Sequence, residues 1–179
     1  MKKQFLAVSA LALAVMSGSA LAAPQDVQFV GTVTDVTCDI KPEVNGTTGN
    51  YVQLGSVGVD KTNGTNPPVN TGVDFVLKSA TGTGCSMTNL NTATVTWIGG
   101  FDSKGLTAQS GTATGAKALL TALNSKTQNT PIHSGSTSVD FDASELSATG
   151  KGLKFNARLQ GGTAAGDYIS SAAFLMQYN

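Results

Sequence analysis

Charge is scarce in this chain. Only 12% of its 179 residues are Asp, Glu, Lys or Arg, and eleven basic side chains balance eleven acidic ones. A nucleic-acid partner needs a basic stripe to neutralise phosphates, so nucleic acid is excluded. One histidine and two cysteines leave too few ligands for a metal cluster, and no cofactor is expected. His133 follows Pro131-Ile132 without an evident nucleophile or third partner, so no catalytic residue is expected and the chain reads as a non-enzyme. Asp140 and Asp142 point the same way from one run, but calcium wants about six to eight oxygens. No apolar run reaches the roughly 18 residues of a membrane-spanning helix. Glycine is what the chain has in quantity: 21 residues, spread among Ser and Thr, with 5 prolines. That mixture favours short strands and many turns over long helices.

The start of the chain reads as an address. Lys2 and Lys3 precede an apolar run from Phe5 to Met16, which ends in the small residues Ser17-Gly18-Ser19-Ala20-Leu21-Ala22 with an A-x-A pattern. Residues 1–22 are therefore expected to be a secretory signal peptide. The exported chain would begin at Ala23 and lose two lysines, leaving nine basic against eleven acidic residues. Export changes the reading of Cys38 and Cys85. Two cysteines 47 positions apart in an oxidising compartment are most simply one disulfide, whose closure stabilises by about 4 kcal/mol on chain-entropy arithmetic.

Period-two alternation recurs along the exported part. Leu153, Phe155, Ala157 and Leu159 alternate with Lys154, Asn156, Arg158 and Gln160, which places one set toward a core and the other toward water. Val73, Phe75 and Leu77 alternate with polar residues, although Val76 interrupts. Ala93, Val95 and Trp97 form a third run, and Val139 and Phe141 a fourth. Asn45-Gly46, Asn63-Gly64, Gly82-Thr83-Gly84, Gly99-Gly100 and Gly161-Gly162 supply turn residues that tolerate positive φ. Residues 60–71, with Pro67-Pro68, form a loop. Seven or eight short strands so punctuated predict an all-β sandwich. Residues 116–123 carry good helix formers, yet alternation through Ala118, Leu120 and Ala122 suits a strand, and a strand is expected.

Both ends of the exported chain are also strand-like. Val27, Phe29, Gly31 and Val33 share a face, with Gly31 a notch where its neighbours carry side chains. Phe174, Met176 and Tyr178 share a face in a run to the last residue. Open edges recruit other strands.

The residues V-x-F-x-G-x-V (Val27, Phe29, Gly31, Val33) before Cys38, V-Q-L-G-x-V (Val52 to Val57), Cys85, G-D-Y (Gly166, Asp167, Tyr168) and the penultimate Tyr178 occur in this order. The sequence thereby resembles the major subunits, or pilins, of chaperone–usher fimbriae, including type 1 and enterotoxigenic-strain fimbriae. The resemblance covers nearly the whole exported chain and is loosest over residues 99–138. It implies an incomplete immunoglobulin-like β-sandwich (residues 38–179) completed by a donor strand, which is supplied by the N-terminal extension (residues 23–37) of a neighbouring subunit. Val27, Phe29 and Val33 would be its knobs and Gly31 its notch. Gly166, Phe174, Met176, Tyr178 and Asn179 would flank the acceptor groove and carry chaperone recognition. Implied partners are identical subunits in a polymer, a periplasmic chaperone, an outer-membrane usher, and a tip adhesin or minor subunits. The implied place is an extracellular fimbrium reached through the periplasm, where the fibre supports bacterial adhesion. The rival readings are a minor or adaptor subunit and a fimbrial subunit that itself binds a host glycan.

Overall fold

The computed structural model describes residues 38–80 and 84–179. The expected signal peptide and the expected donor extension, with Val27, Phe29, Gly31 and Val33, lie outside the described residues, as do Gly82 and Thr83, while Gly84 takes the positive φ expected of that turn, 74°. Ten strands follow: β1 (Ile40–Val44), β2 (Thr47–Thr48), β3 (Val73–Ser79), β4 (Thr92–Gly99), β5 (Leu106–Thr107), β6 (Lys117–Ala122), β7 (Thr130–Ile132), β8 (Ser138–Asp142), β9 (Leu153–Gln160) and β10 (Ala172–Tyr178). They form two antiparallel sheets. The larger runs β2-β1-β3-β9-β6-β5 with β7 also paired to β6, and the smaller runs β10-β4-β8. A single 3-10 turn, Ala143–Leu146, is the only helical element among the described residues. The strands beyond the expected seven or eight are pieces of two or three residues, β2, β5 and β7, too short to show a period.

The inward residues of the two sheets make the core. Phe75, Leu77, Leu153 and Phe155 come from the larger sheet, and Ala93, Val95, Trp97, Val139 and Phe141 from the smaller. The Phe155 ring stacks on Phe75 at 5.4 Å and meets Trp97 edge-on at 5.3 Å. Both geometries suit the aromatic quadrupole. Val76, which interrupted the pattern, lies half-buried on the opposite face of β3 from Phe75 and Leu77.

Residues 117–122 are the strand expected from Ala118, Leu120 and Ala122, all three buried. Ladders to β9 on one side and to β5 and β7 on the other settle the matter, since packing outweighs helix propensity here. Asn45 and Gly46 take φ of 49° and 80° and close the two-residue β1–β2 hairpin. Gly161-Gly162 corrects the turn reading. Neither glycine is left-handed; both are buried, and an added Cβ would run into the carbonyls of Gly58 and Thr114 respectively. They are there for close approach of backbones. Gly99-Gly100 is likewise not left-handed.

Cys38 and Cys85 form the disulfide, with Cα atoms 5.7 Å apart. It ties the chain just before β1 to the connection between β3 and β4, where the Cys85 N–H donates to the Leu146 carbonyl at 2.8 Å.

Candidate functional site: a groove beside the last strand

β10 pairs with β4 along its whole length, from Ala172↔Gly99 to Tyr178↔Ala93. Its other edge has no strand beside it among the described residues. Ala172, Phe174, Met176 and Tyr178 pack against the core, while Ala173 and Gln177 are exposed. The shared face read from the sequence is thus present. Asn179 extends the pairing: its N–H donates to Thr92 O at 2.9 Å, and its carbonyl accepts from Asn91 and Thr92.

A second unpaired stretch belongs to the same site. Residues 50–59 form no strand, and Val52 and Leu54 pack against the core. At Gly55, with φ of 77°, the chain shifts phase, so that Val57 and Val59 become the half-buried residues. Among the described residues, the main chain here has one hydrogen bond, from Asn70 Nδ2 to the Leu54 carbonyl at 2.6 Å. The V-Q-L-G-x-V signature is therefore an extended segment whose main chain is mostly unpaired among the described residues.

Between this segment and residues 164–172 lies a cavity of about 760 Å³. Small and aliphatic side chains line it, among them Ala118, Leu120, Ala157 and Leu159, together with the one tryptophan, Trp97. Tyr51 and Ile169 also border it and are 79% and 58% exposed, which marks its mouth. The cavity begins at Ala172 and runs past Gly166; Phe174, Met176 and Tyr178 lie along β10 beyond it. Sequence reasoning identified that strand but missed Tyr51, Trp97, Ala118 and Ile169 as lining residues. Their only signal was the Val52/Leu54 alternation and a run of alanines opposite it.

Gly166 and Tyr168 have structural work to do at the groove wall. An added Cβ on Gly166 would run into Thr112 and the N–H of Ala113. The Tyr168 hydroxyl donates to the Leu106 carbonyl at 2.8 Å and accepts from the Ala118 N–H at 3.2 Å, and burial pushes its pKa up. Burial also raises the Tyr178 phenol, whose oxygen has no partner among the described residues; the buried Trp97 Nε1 likewise has none among them.

Two carboxylates brace the loops around the site. The Asp60 carboxylate accepts from the Thr62 hydroxyl, the Thr62 N–H and the Gly64 N–H, which hold its pKa below the ordinary 3.8. Burial pushes Asp102 up, but the Lys117 ammonium and the N–H groups of Lys104 and Gly105 outweigh it and leave that carboxyl lowered as well. A depressed folded pKa means that the unfolded chain takes up protons first as pH falls. The stabilisation is complete above about pH 5 and is lost as pH drops through the folded values. The melting temperature should be level from about pH 5 to 7 and fall below about pH 4, with a shallower fall in Asp102→Asn. A melting temperature independent of acid would contradict this reading. Asp140, weighed above as a calcium ligand, accepts from the Thr94 hydroxyl at 2.7 Å. His133 Nδ1 accepts from the Gly135 N–H at 3.1 Å, within its own turn.

Two antiparallel sheets with an apolar groove that ends at the start of the last strand are the arrangement of a pilin-type β-sandwich. The P pilus rod subunit PapA has this fold, at TM-score 0.50 and 17% identity, over 86% of this chain and 100% of that one. No protein-family model matches the chain. The F107 fimbrial protein of Escherichia coli is 36% identical over 179 residues, covering 98% of this chain and 99% of that protein. The K99 fimbrial protein of Escherichia coli is 29% identical over 188 residues, covering 99% of each. The chain belongs to the fimbrial-protein family of its F107 relative. It is a structural pilus subunit that polymerises with other subunits into an extracellular surface fimbria, and its homologues are structural proteins rather than enzymes.

Proposed function

We propose that the groove is a strand acceptor, filled in the fibre by residues 25–35 of a neighbouring copy, and that the subunit is polymerised by donor-strand exchange. The observation that carries this is the outer edge of β10, unpaired among the described residues, beside an apolar cavity of about 760 Å³, with residues 50–59 across it likewise unpaired among them. A strand laid there gains main-chain partners on both sides and buries alternate side chains, which is β-strand addition. Val27, Phe29 and Val33 are the knobs such a groove requires, and Gly31 is the position without one. A one-residue slip would turn Gln28 and Thr32 inward, so the alternation fixes the register.

Before assembly the same groove is covered by a periplasmic chaperone, with Gly166, Phe174, Met176, Tyr178 and Asn179 on the strand and approach it reads. An outer-membrane usher passes subunits outward, and the finished fibre supports adhesion. Residues 1–22 are the exported chain's signal peptide. The test is uptake of a synthetic peptide of residues 23–36 by the purified subunit. Trp97 borders the cavity and is the only tryptophan, so its fluorescence should change saturably on uptake, and the change should be lost with a peptide carrying Phe29→Gln. No response to the native peptide would overturn the proposal.

A further inference from the structure

We propose that Tyr168 is a positioning residue of the groove, and that its hydroxyl fixes the spacing between the groove's wall and its floor. The inference rests on the strand-acceptor reading above and adds a determinant to it. Leu106 and Ala118 are directly opposed across β5 and β6. The Tyr168 phenol bridges them, taking the Ala118 N–H and giving its proton to the Leu106 carbonyl. The phenol thus stands inside a sheet ladder although its residue belongs to the loop before β10.

The other ties of this loop end elsewhere. Asp167 and Ile169 bond to the main chain of Ala113, Gln109 and Ser110, and the Ser170 hydroxyl donates to the Thr107 carbonyl. Residues 108–114 are themselves a connection between strands. Among the described residues the phenol makes the loop's only hydrogen bond to β6, which is held by β9 on one side and β5 and β7 on the other. β6 supplies Ala118 and Leu120 to the cavity, whereas the loop supplies Tyr168 and Ile169. Without the hydroxyl, two main-chain groups lose their partner, and the loop is held by the 108–114 connection and by Ser170 at the short edge strand β5, with no hydrogen bond to β6 among the described residues. A groove whose wall occupies its strand-ready position only part of the time binds more weakly by that fraction.

Tyr168→Phe keeps the ring and removes the bridge. Its affinity for the peptide of residues 23–36, read from Trp97 fluorescence, should be five- to tenfold weaker than that of the unaltered subunit. Asn124→Ala serves as the control: it removes two hydrogen bonds, to Gly152 and Lys154, and Asn124 is not among the residues that line the cavity. That variant should melt lower yet bind the peptide as the unaltered subunit does. Gly166→Ala, which pushes the same loop off Thr112 and so draws the phenol away from Leu106 and Ala118, should also weaken binding, and it tests the spacing if Tyr168→Phe does not fold. Wild-type affinity in a folded Tyr168→Phe, or in Gly166→Ala where Tyr168→Phe does not fold, or an equal loss in Asn124→Ala, would overturn the role of Tyr168 and leave the strand-acceptor reading standing. No uptake by the unaltered subunit would overturn both.

Discussion

A subunit lacking residues 25–35 should still bind its chaperone and keep its groove, but it should never attach itself to the next subunit. Mixed with the full-length chain, it should cap growing fibres, because it can accept a strand and has none to give. The magnitudes favour a large effect. Burying Val27, Phe29 and Val33 contributes about 1.5–3 kcal/mol each, or roughly 5–9 together. Main-chain hydrogen bonds along the strand add about 0.5–1.5 kcal/mol apiece, offset by about 1–2 kcal/mol for each residue ordered. Fibre length in electron micrographs should fall steadily with the fraction of shortened chain. Unimpeded growth at an equal ratio would show that subunits are joined by something other than this segment.

The second large effect concerns the disulfide. Cys38→Ser with Cys85→Ser opens a closure of 47 positions, worth about 4 kcal/mol. Domains of this kind are stable by only about 5–15 kcal/mol, so the loss takes a large share. At roughly 2–4 °C per kcal/mol, the melting temperature should drop by about 8–16 °C, and the yield of folded subunit should fall with it. The position of the bond sharpens the expectation. It anchors the start of β1, which carries the β2 edge of the larger sheet and reaches the rest of that sheet only through β3. An unchanged melting temperature would mean that the sheets hold this edge without it.

What could be read in advance follows from how each residue makes its contacts. β9 was plain because Leu153, Phe155 and Ala157 are buried while Lys154, Asn156 and Arg158 reach water. β10 was equally plain from Phe174, Met176 and Tyr178. β1 was hidden, since Ile40-Lys41-Pro42-Glu43-Val44 hardly alternates and holds a proline that reads as a breaker. In the fold Pro42 turns toward the short β2 arm at the sheet's edge, and its carbonyl accepts from Gly49. The 3-10 turn at Ala143–Leu146 is a single turn, too short to have a period. The groove was half legible. Its β10 side is local and alternates, whereas its floor unites Trp97, Ala118 and Ala157 from three strands, and only the topology brings these together. Gly166 and Tyr168 were noticed as a motif, but their physical roles, a close approach and a ladder bridge, depend on Thr112, Leu106 and Ala118 far away in sequence.

That one molecule's sandwich is finished by another's chain is tested most directly by electrophoresis of purified fibres in cold detergent. Subunits that share a buried strand come apart only when the fold is breached, so the claim predicts a ladder of multimers that survives until the sample is boiled. A lone monomer band before heating, from fibres intact by microscopy, would contradict it.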